Sequence, residues 1–275
     1  MYTQLEFRDS TRPPVSLATL QKMKSEQDKI ACITCYDASF GVLVDAADAD
    51  VVLVGDSLGM VLQGHDTTVP VTMDDIVYHC RATSRGIHRP LLMADLPFAS
   101  FPTKEIALAN SVRLMQEGGA EIVKLESGSS QFEIVEFLAR HDIAVCAHLG
   151  LKPQSVHKTG GFRVQGRQTD AAEQMLANAK SLEAAGADVV LLECIPSELG
   201  QRITSALSVP VIGIGAGPDT DGQILVLYDV LDITTGRKPR FVRNFMQDAG
   251  SNLDALRAYV KAVKDKSYPA PEHCF

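Results

Sequence analysis

Seven short, nearly unbroken apolar runs recur along the chain, and most of them stop at a polar or charged residue. IACITCYD ends at Asp37, DVVLVGD at Asp56, PLLMAD at Asp95, EIVKLE at Glu126, IAVCAH at His148, DVVLLE at Glu193 and PVIGIGAG at Gly217. Val/Ile/Leu runs without alternation predict strands buried on both faces, which is the pattern of a parallel sheet covered by helices. The stretches between them, such as TMDDIVYHCRATSR, KEIALANSVRLMQEGGA and AAEQMLANAKSLEAAGA, are amphipathic. Two of these close on Gly-Gly-Ala or Ala-Gly-Ala, a helix stop that delivers the chain to the next strand. The repeating unit is a strand followed by a helix.

QILVLYDVL, from Gln223 to Leu231, is the best candidate for an eighth strand, but too few residues separate it from GIGAG for a covering helix. LATLQKMKSEQ near the start and NLDALRAYVKAVKD near the end read as flanking helices. The chain has 275 residues, 45% of them hydrophobic, which is enough for one large core. No linker or low-complexity stretch divides it. These features predict a single (β/α)8 TIM barrel over residues 1–275, with an open doubly wound sheet as the alternative.

A net charge of −8 gives no attraction to phosphate backbones or anionic lipid, so nucleic acid and membrane surfaces are not expected partners. The opening MYTQLEFRDSTRPP carries Glu6 and Asp9 and lacks the apolar stretch of a secretory signal. No apolar run approaches the roughly 20 residues that span a bilayer, and a cytoplasmic protein is expected. Cys32 and Cys35 form a C-x-x-C, but residues three apart on a strand point to opposite faces, and no second pair supplies further ligands. They read as packing residues, as do Cys80, Cys146, Cys194 and Cys274.

In such barrels the active site forms where the loops converge at the C-terminal ends of the strands. Asp37, Asp56, Asp95, Glu126, His148 and Glu193 would then share one mouth. Clustered carboxylates repel unless a cation compensates, which predicts a hard metal such as Mg²⁺. A lone acid after a strand is also a common helix N-cap, and Asp37, before ASFGVLVDAA, is assigned that role. Asp56 precedes the Ser- and Gly-rich SLGMVLQG and Asp95 precedes Leu-Pro-Phe, so a functional role is favoured for both. His148 reads either as a hydrogen-bonded core residue or as a site residue. Lys124, two positions before Glu126 in an apolar strand, shares its face and is assigned to the site.

The segments VGDSLGMVLQGHDTTVPVTMDDI, MADLPFASF, VKLESG, AHLGLKPQS, GGFRVQGR, LLECIP and GIGAGPDTDGQILVLYD, in this order, resemble the ketopantoate hydroxymethyltransferase family. The resemblance implies a (β/α)8 barrel assembled as a homo-oligomer, a decamer of two pentameric rings. It implies transfer of a hydroxymethyl group from 5,10-methylenetetrahydrofolate to 2-oxoisovalerate through a Mg²⁺-stabilised enolate, giving ketopantoate for pantothenate and coenzyme A synthesis. By the same resemblance Asp56 and Asp95 are Mg²⁺ ligands that also meet the substrate, with Glu126 a third acid at the metal, directly or through water. Ser57 and Lys124 contact the oxo acid, Glu193 accepts the proton, and His148 lies near the substrate. No residue is assigned to the folate.

These roles make physical sense together. Charge that develops on an enolate oxygen calls for a Lewis acid on one side and a base of near-neutral pKa on the other. A lyase or mutase of the wider phosphoenolpyruvate-dependent superfamily would share the enolate chemistry, but its nucleophilic Cys motif is absent. A noncatalytic oxo-acid-binding barrel is a further alternative. GIGAGPDTDG reads as a structural turn, with folate contact a lesser option. HKTGGFRVQGR, from His157 to Arg167, reads as a solvated loop or as a mobile lid that meets the folate tail through Arg163 and Arg167.

Overall fold

The computed structural model describes residues 13–275, so most of the opening segment on which the expectation about secretion rests lies outside the described residues. Eight parallel strands run β1 Ile30–Thr34, β2 Val51–Val54, β3 Leu91–Asp95, β4 Ile122–Glu126, β5 Val145–Gly150, β6 Val189–Glu193, β7 Val211–Ile214 and β8 Gly222–Leu225. They close in sequence order, and β8 pairs with β1 in the register Cys32↔Ile224. Closure excludes the open doubly wound sheet. Nearly every strand residue is buried, because one face of each strand fills the barrel and the other lies under helices.

Local chemistry explains where the covering helices begin. Asp37 caps Ala38–Ala46, its Oδ1 accepting from the Phe40 amide at 2.9 Å. Thr72 and Asp75 form a reciprocal capping box at the start of Met73–Ser84. Thr103 caps Lys104–Gln116. Each cap satisfies amides that the first helical turn leaves without partners.

The eighth strand departs from expectation. It stops at Leu225, and Leu227–Val230 forms a short helix whose first amide donates to the Thr34 hydroxyl at 2.9 Å. GAGPDTD, which joins β7 to β8, contains no helix, as the spacing required. The helix Asn252–Lys264 covers that gap: its Tyr259 hydroxyl donates to the Cys32 carbonyl at 2.6 Å and lies 3.1 Å from that of Gln223. At the opposite end of the strands, Lys24 of the helix Leu17–Glu26 pairs with Asp221 at 2.7 Å. The cysteines are free, and Cys32 and Cys35 are both buried. Among the described residues no helix is long and apolar enough to cross a membrane.

Candidate active site

A cavity of about 1250 Å³ opens at the C-terminal mouth of the barrel, and Asp56, Ser57, Asp95, Lys124, Glu126, His148 and Glu193 all line it. The structure therefore brings together the residues assigned to the metal, the oxo acid and proton transfer. Asp37 is absent from this wall, since its carboxylate is committed to the helix cap. Asp95, Glu126 and Glu193 are the last residues of β3, β4 and β6, so strand geometry itself aims them into the mouth. Asp56 lies two residues beyond β2, and its amide donates to Asp95 Oδ2 at 2.9 Å.

The acids are not equivalent. Lys124 Nζ sits 2.7 Å from Asp95 Oδ1, with both side chains almost wholly buried. Burial alone would lower the Lys124 pKa, but Asp95 and Asp56 outweigh it and hold the group above its ordinary value, so it stays an ammonium. Burial, then repulsion from Asp95, pushes Asp56 up to about 7. Glu126 rises to about 8, again mainly through burial. Asp56, Asp95 and Glu126 thus gather near the Lys124 ammonium, and that oxygen-rich set fits a hard divalent cation.

Gln154 separates two of these acids. Its side-chain amide donates to Asp56 Oδ2 at 2.8 Å and to the Leu96 carbonyl at 3.0 Å, while its backbone amide donates to Glu126 Oε1 at 2.8 Å. Among the described residues no three His, Cys, Asp or Glu side chains form a ready metal cage. The expected trio of Asp56, Asp95 and Glu126 is therefore divided by Gln154. Asp56 and Asp95 are the one or two carboxylates that a Mg²⁺ ion keeping several waters would need.

Across the barrel the chemistry changes. Strand β6 stands four positions from β2 in the closed ring, so Glu193 opposes Asp56. Its pKa is pushed up to about 7 by burial, partly offset by Lys124. His148 Nε2 lies 3.3 Å from Glu193 Oε2, and the imidazole is 2% exposed against 18% for the glutamate. Burial, reinforced by Lys124, holds His148 well below its ordinary pKa, so the ring is neutral. Neither nitrogen meets strict hydrogen-bond geometry among the described residues, although Nε2 approaches Glu193 Oε2 and the ring also meets the Leu151 backbone. Buried polar atoms in that condition mark a place where a ligand or water completes the set.

The backbone around Glu193 is tightly constrained. Cys194, the next residue, holds φ at 49°, a left-handed conformation rarely adopted by residues other than glycine. Its amide donates to the Ile214 carbonyl at 2.9 Å, and the Glu193 carbonyl accepts from the Leu151 amide at 2.8 Å. Gly150 has φ 98°, and a Cβ there would collide with the Glu193 carbonyl. Only glycine lets β5 approach this closely.

Sequence reasoning missed Gln154 and Tyr36. The Tyr36 hydroxyl lies 2.9 Å from Ser57 Oγ and fixes it, and burial raises the phenol pKa so that it stays neutral. Tyr36 stood one residue before an acid already assigned to capping, and Gln154 is an uncharged amide within AHLGLKPQS. Neither carried a charge signal. In the His157–Arg167 segment, Phe162, Arg163 and Val164 line the cavity, and Arg167 is not among its lining residues. GIGAGPDTDG is held as a structural turn: the Gln223 side-chain amide donates to the Gly217 carbonyl at 3.0 Å and to Thr220 Oγ1 at 2.8 Å.

The family model described as ketopantoate hydroxymethyltransferase matches residues 14–271. A protein of Alkalilimnicola ehrlichii named 3-methyl-2-oxobutanoate hydroxymethyltransferase is 58% identical over 265 residues, covering 96% of each chain. One of the same name from Shewanella amazonensis is 54% identical, covering 95% of this chain and 98% of its own. Among solved structures, a putative phosphonomutase from Burkholderia cenocepacia superposes with a TM-score of 0.62 over 78% of this chain and 94% of its own. At 14% identity that likeness concerns the fold alone. On the family match and the near full-length identity to its members, the chain belongs to the ketopantoate hydroxymethyltransferase family.

Proposed function

We propose that the chain transfers a hydroxymethyl group from 5,10-methylenetetrahydrofolate to 2-oxoisovalerate, forming ketopantoate. The names of its close relatives support this reading. The observation that carries it is Glu193, a carboxyl whose pKa is about 7, on a different strand of the same mouth from the Lys124 and Asp95 pair and four strands from Asp56. Proton removal next to a ketone needs a base of near-neutral pKa on one face and positive charge near the carbonyl on the other.

In this reading the Lys124 ammonium meets the substrate carboxylate, and Ser57, steadied by Tyr36, donates to an oxygen of the oxo acid. Glu193 takes the C3 proton. Neutral His148, beside it, keeps a second charge away from the base. The resulting enolate carbon forms a bond to the one-carbon unit, the carrier nitrogen leaves, and one water is consumed to give the hydroxyl. Asp56 and Asp95 would hold Mg²⁺, with Glu126 reached through water. When bound, such an ion supplies Lewis acidity to the substrate oxygens. The reading includes the decamer and the cytoplasmic setting that the family resemblance implies.

The test is product formation from the two purified substrates. Turnover should need a divalent ion, disappear with a chelator and return with Mg²⁺. Asp56→Asn or Asp95→Asn should lower metal-dependent turnover by at least about 100-fold while leaving the melting transition cooperative. Full chelator-insensitive turnover would reject the metal assignment, and no ketopantoate from the parent protein would reject the function.

A further inference from the structure

The cavity, at about 1250 Å³, exceeds the roughly 300–1,000 Å³ typical of one small-ligand pocket. A five-carbon oxo acid on the acidic floor leaves most of it open. The outer wall differs in kind, for it carries the rings of Phe162 and Phe275 and the cations Arg163, Arg237 and Arg240.

Phe275 reaches that wall from the segment after the last long helix, far along the chain from any strand. The segment is a rigid turn, in which the His273 amide donates to the Ala270 carbonyl at 2.9 Å and the Ala270 amide donates to His273 Nδ1 at 3.1 Å. Three contacts then fix Phe275 itself. Its carbonyl accepts from the Ser197 amide at 3.0 Å and from Ser197 Oγ at 3.3 Å. Its ring rests on Gly215, just past β7, where an added Cβ would sit 3.0 Å from Phe275 Cε2. The Arg240 guanidinium lies over the ring, 5.9 Å from its centroid, and Arg240 Nε donates to the Glu272 carbonyl at 2.9 Å.

This costs conformational entropy at a ring that is only half-buried. A core aromatic would be covered, and a surface aromatic would not be anchored at its carbonyl, its face and its flank. A fixed aromatic surface beside cations fits a planar heteroaromatic ligand that carries negative charge. Resting on the function proposed above, we infer that Phe275 is a positioning residue for the one-carbon donor, offering its ring to the donor's fused ring system. Arg240 holds Phe275 in place, and the donor's anionic end, remote from its fused rings, is left to the other cations of the wall, Arg163 and Arg237.

The experiment compares Phe275→Ala, Phe275→Leu and Phe275→Tyr in the full chain. KM is measured for 5,10-methylenetetrahydrofolate and for 2-oxoisovalerate, and C3 proton exchange is followed in D₂O without donor. Phe275→Ala should raise the donor KM about tenfold, the size expected for one lost aromatic contact. Tyr should restore it to within about threefold, with Leu between. Donor-free exchange should stay within about twofold in all three, because the floor of the site is untouched. An unchanged donor KM in Phe275→Ala alongside normal parental turnover would overturn this inference alone. A parallel fall in exchange across all three variants would also overturn it, since the ring would then only support the mouth. A parent protein that exchanges the proton but does not use the donor would overturn both this inference and the functional reading.

Discussion

Glu193 ionises near neutrality because its carboxyl is buried, and the same burial couples catalysis to stability. With a pKa raised from 4.5 to about 7 in the folded state, it holds a proton between those values that the unfolded chain has released. Stability from this group is therefore fully present below about pH 4.5 and is lost as pH rises through 7. Glu193→Gln cannot titrate. The melting temperature of the variant should gain on the parent as pH is raised from 5 to 8, and thermal melts across that range check the sign. A difference that shrinks with pH would mean that Glu193 is stabilised as a carboxylate. The run-ending acids looked alike in the sequence, and what separates them is the element that follows. A helix start consumed Asp37, whereas the turn after Asp56 and the Leu-Pro after Asp95 left those carboxylates to the mouth. Gln154 and Tyr36 were not legible, because a neutral side chain becomes a site residue only through tertiary burial.

The contacts between strands and loops decide how well Glu193 is aimed. Gly150→Ala would place a methyl group against the Glu193 carbonyl at a φ of 98°. The variant should be destabilised by roughly 1–3 kcal/mol and should exchange the C3 proton at least about tenfold more slowly, as read by denaturant melts and by exchange at saturating oxo acid. The loop before Glu193's strand is tied to it as well, since the Gln165 amide donates to the Cys194 carbonyl at 2.9 Å. Arg163 lines the cavity and Arg167 does not. Arg163→Ala should raise the donor KM severalfold more than the oxo-acid KM, while Arg167→Ala should change neither, and equal effects of the two would reject a donor role for this loop. At this scale the sequence was legible where periodicity was long and failed where it was short. QILVLYDVL is apolar throughout, so nothing marked the switch from β8 to the helix at Leu227, which the Thr34 hydroxyl fixes across the barrel.

For the whole molecule, the barrel was readable because unalternating strands need cover on both faces and only a closed or doubly covered parallel sheet supplies it. The choice between those two depended on a contact no local pattern encodes. The ladder between β8 and β1 closes the ring, and the Asn252–Lys264 helix covers that seam through Tyr259, more than 220 residues from Cys32. Closure in turn sets β6 opposite β2, which puts a base of near-neutral pKa across from Asp56 and on a different strand from Asp95 and Lys124. That opposition is the central claim, and proton exchange at C3 of 2-oxoisovalerate, followed by NMR in D₂O with the divalent ion present and the folate omitted, tests it most directly. The parent should exchange, with a rate that rises with pH through about 7 and then levels. Glu193→Gln should exchange about 10²–10⁴-fold more slowly while its affinity for the oxo acid changes little. Exchange by the Gln variant at the parental rate would contradict the account and remove Glu193 from the chemistry.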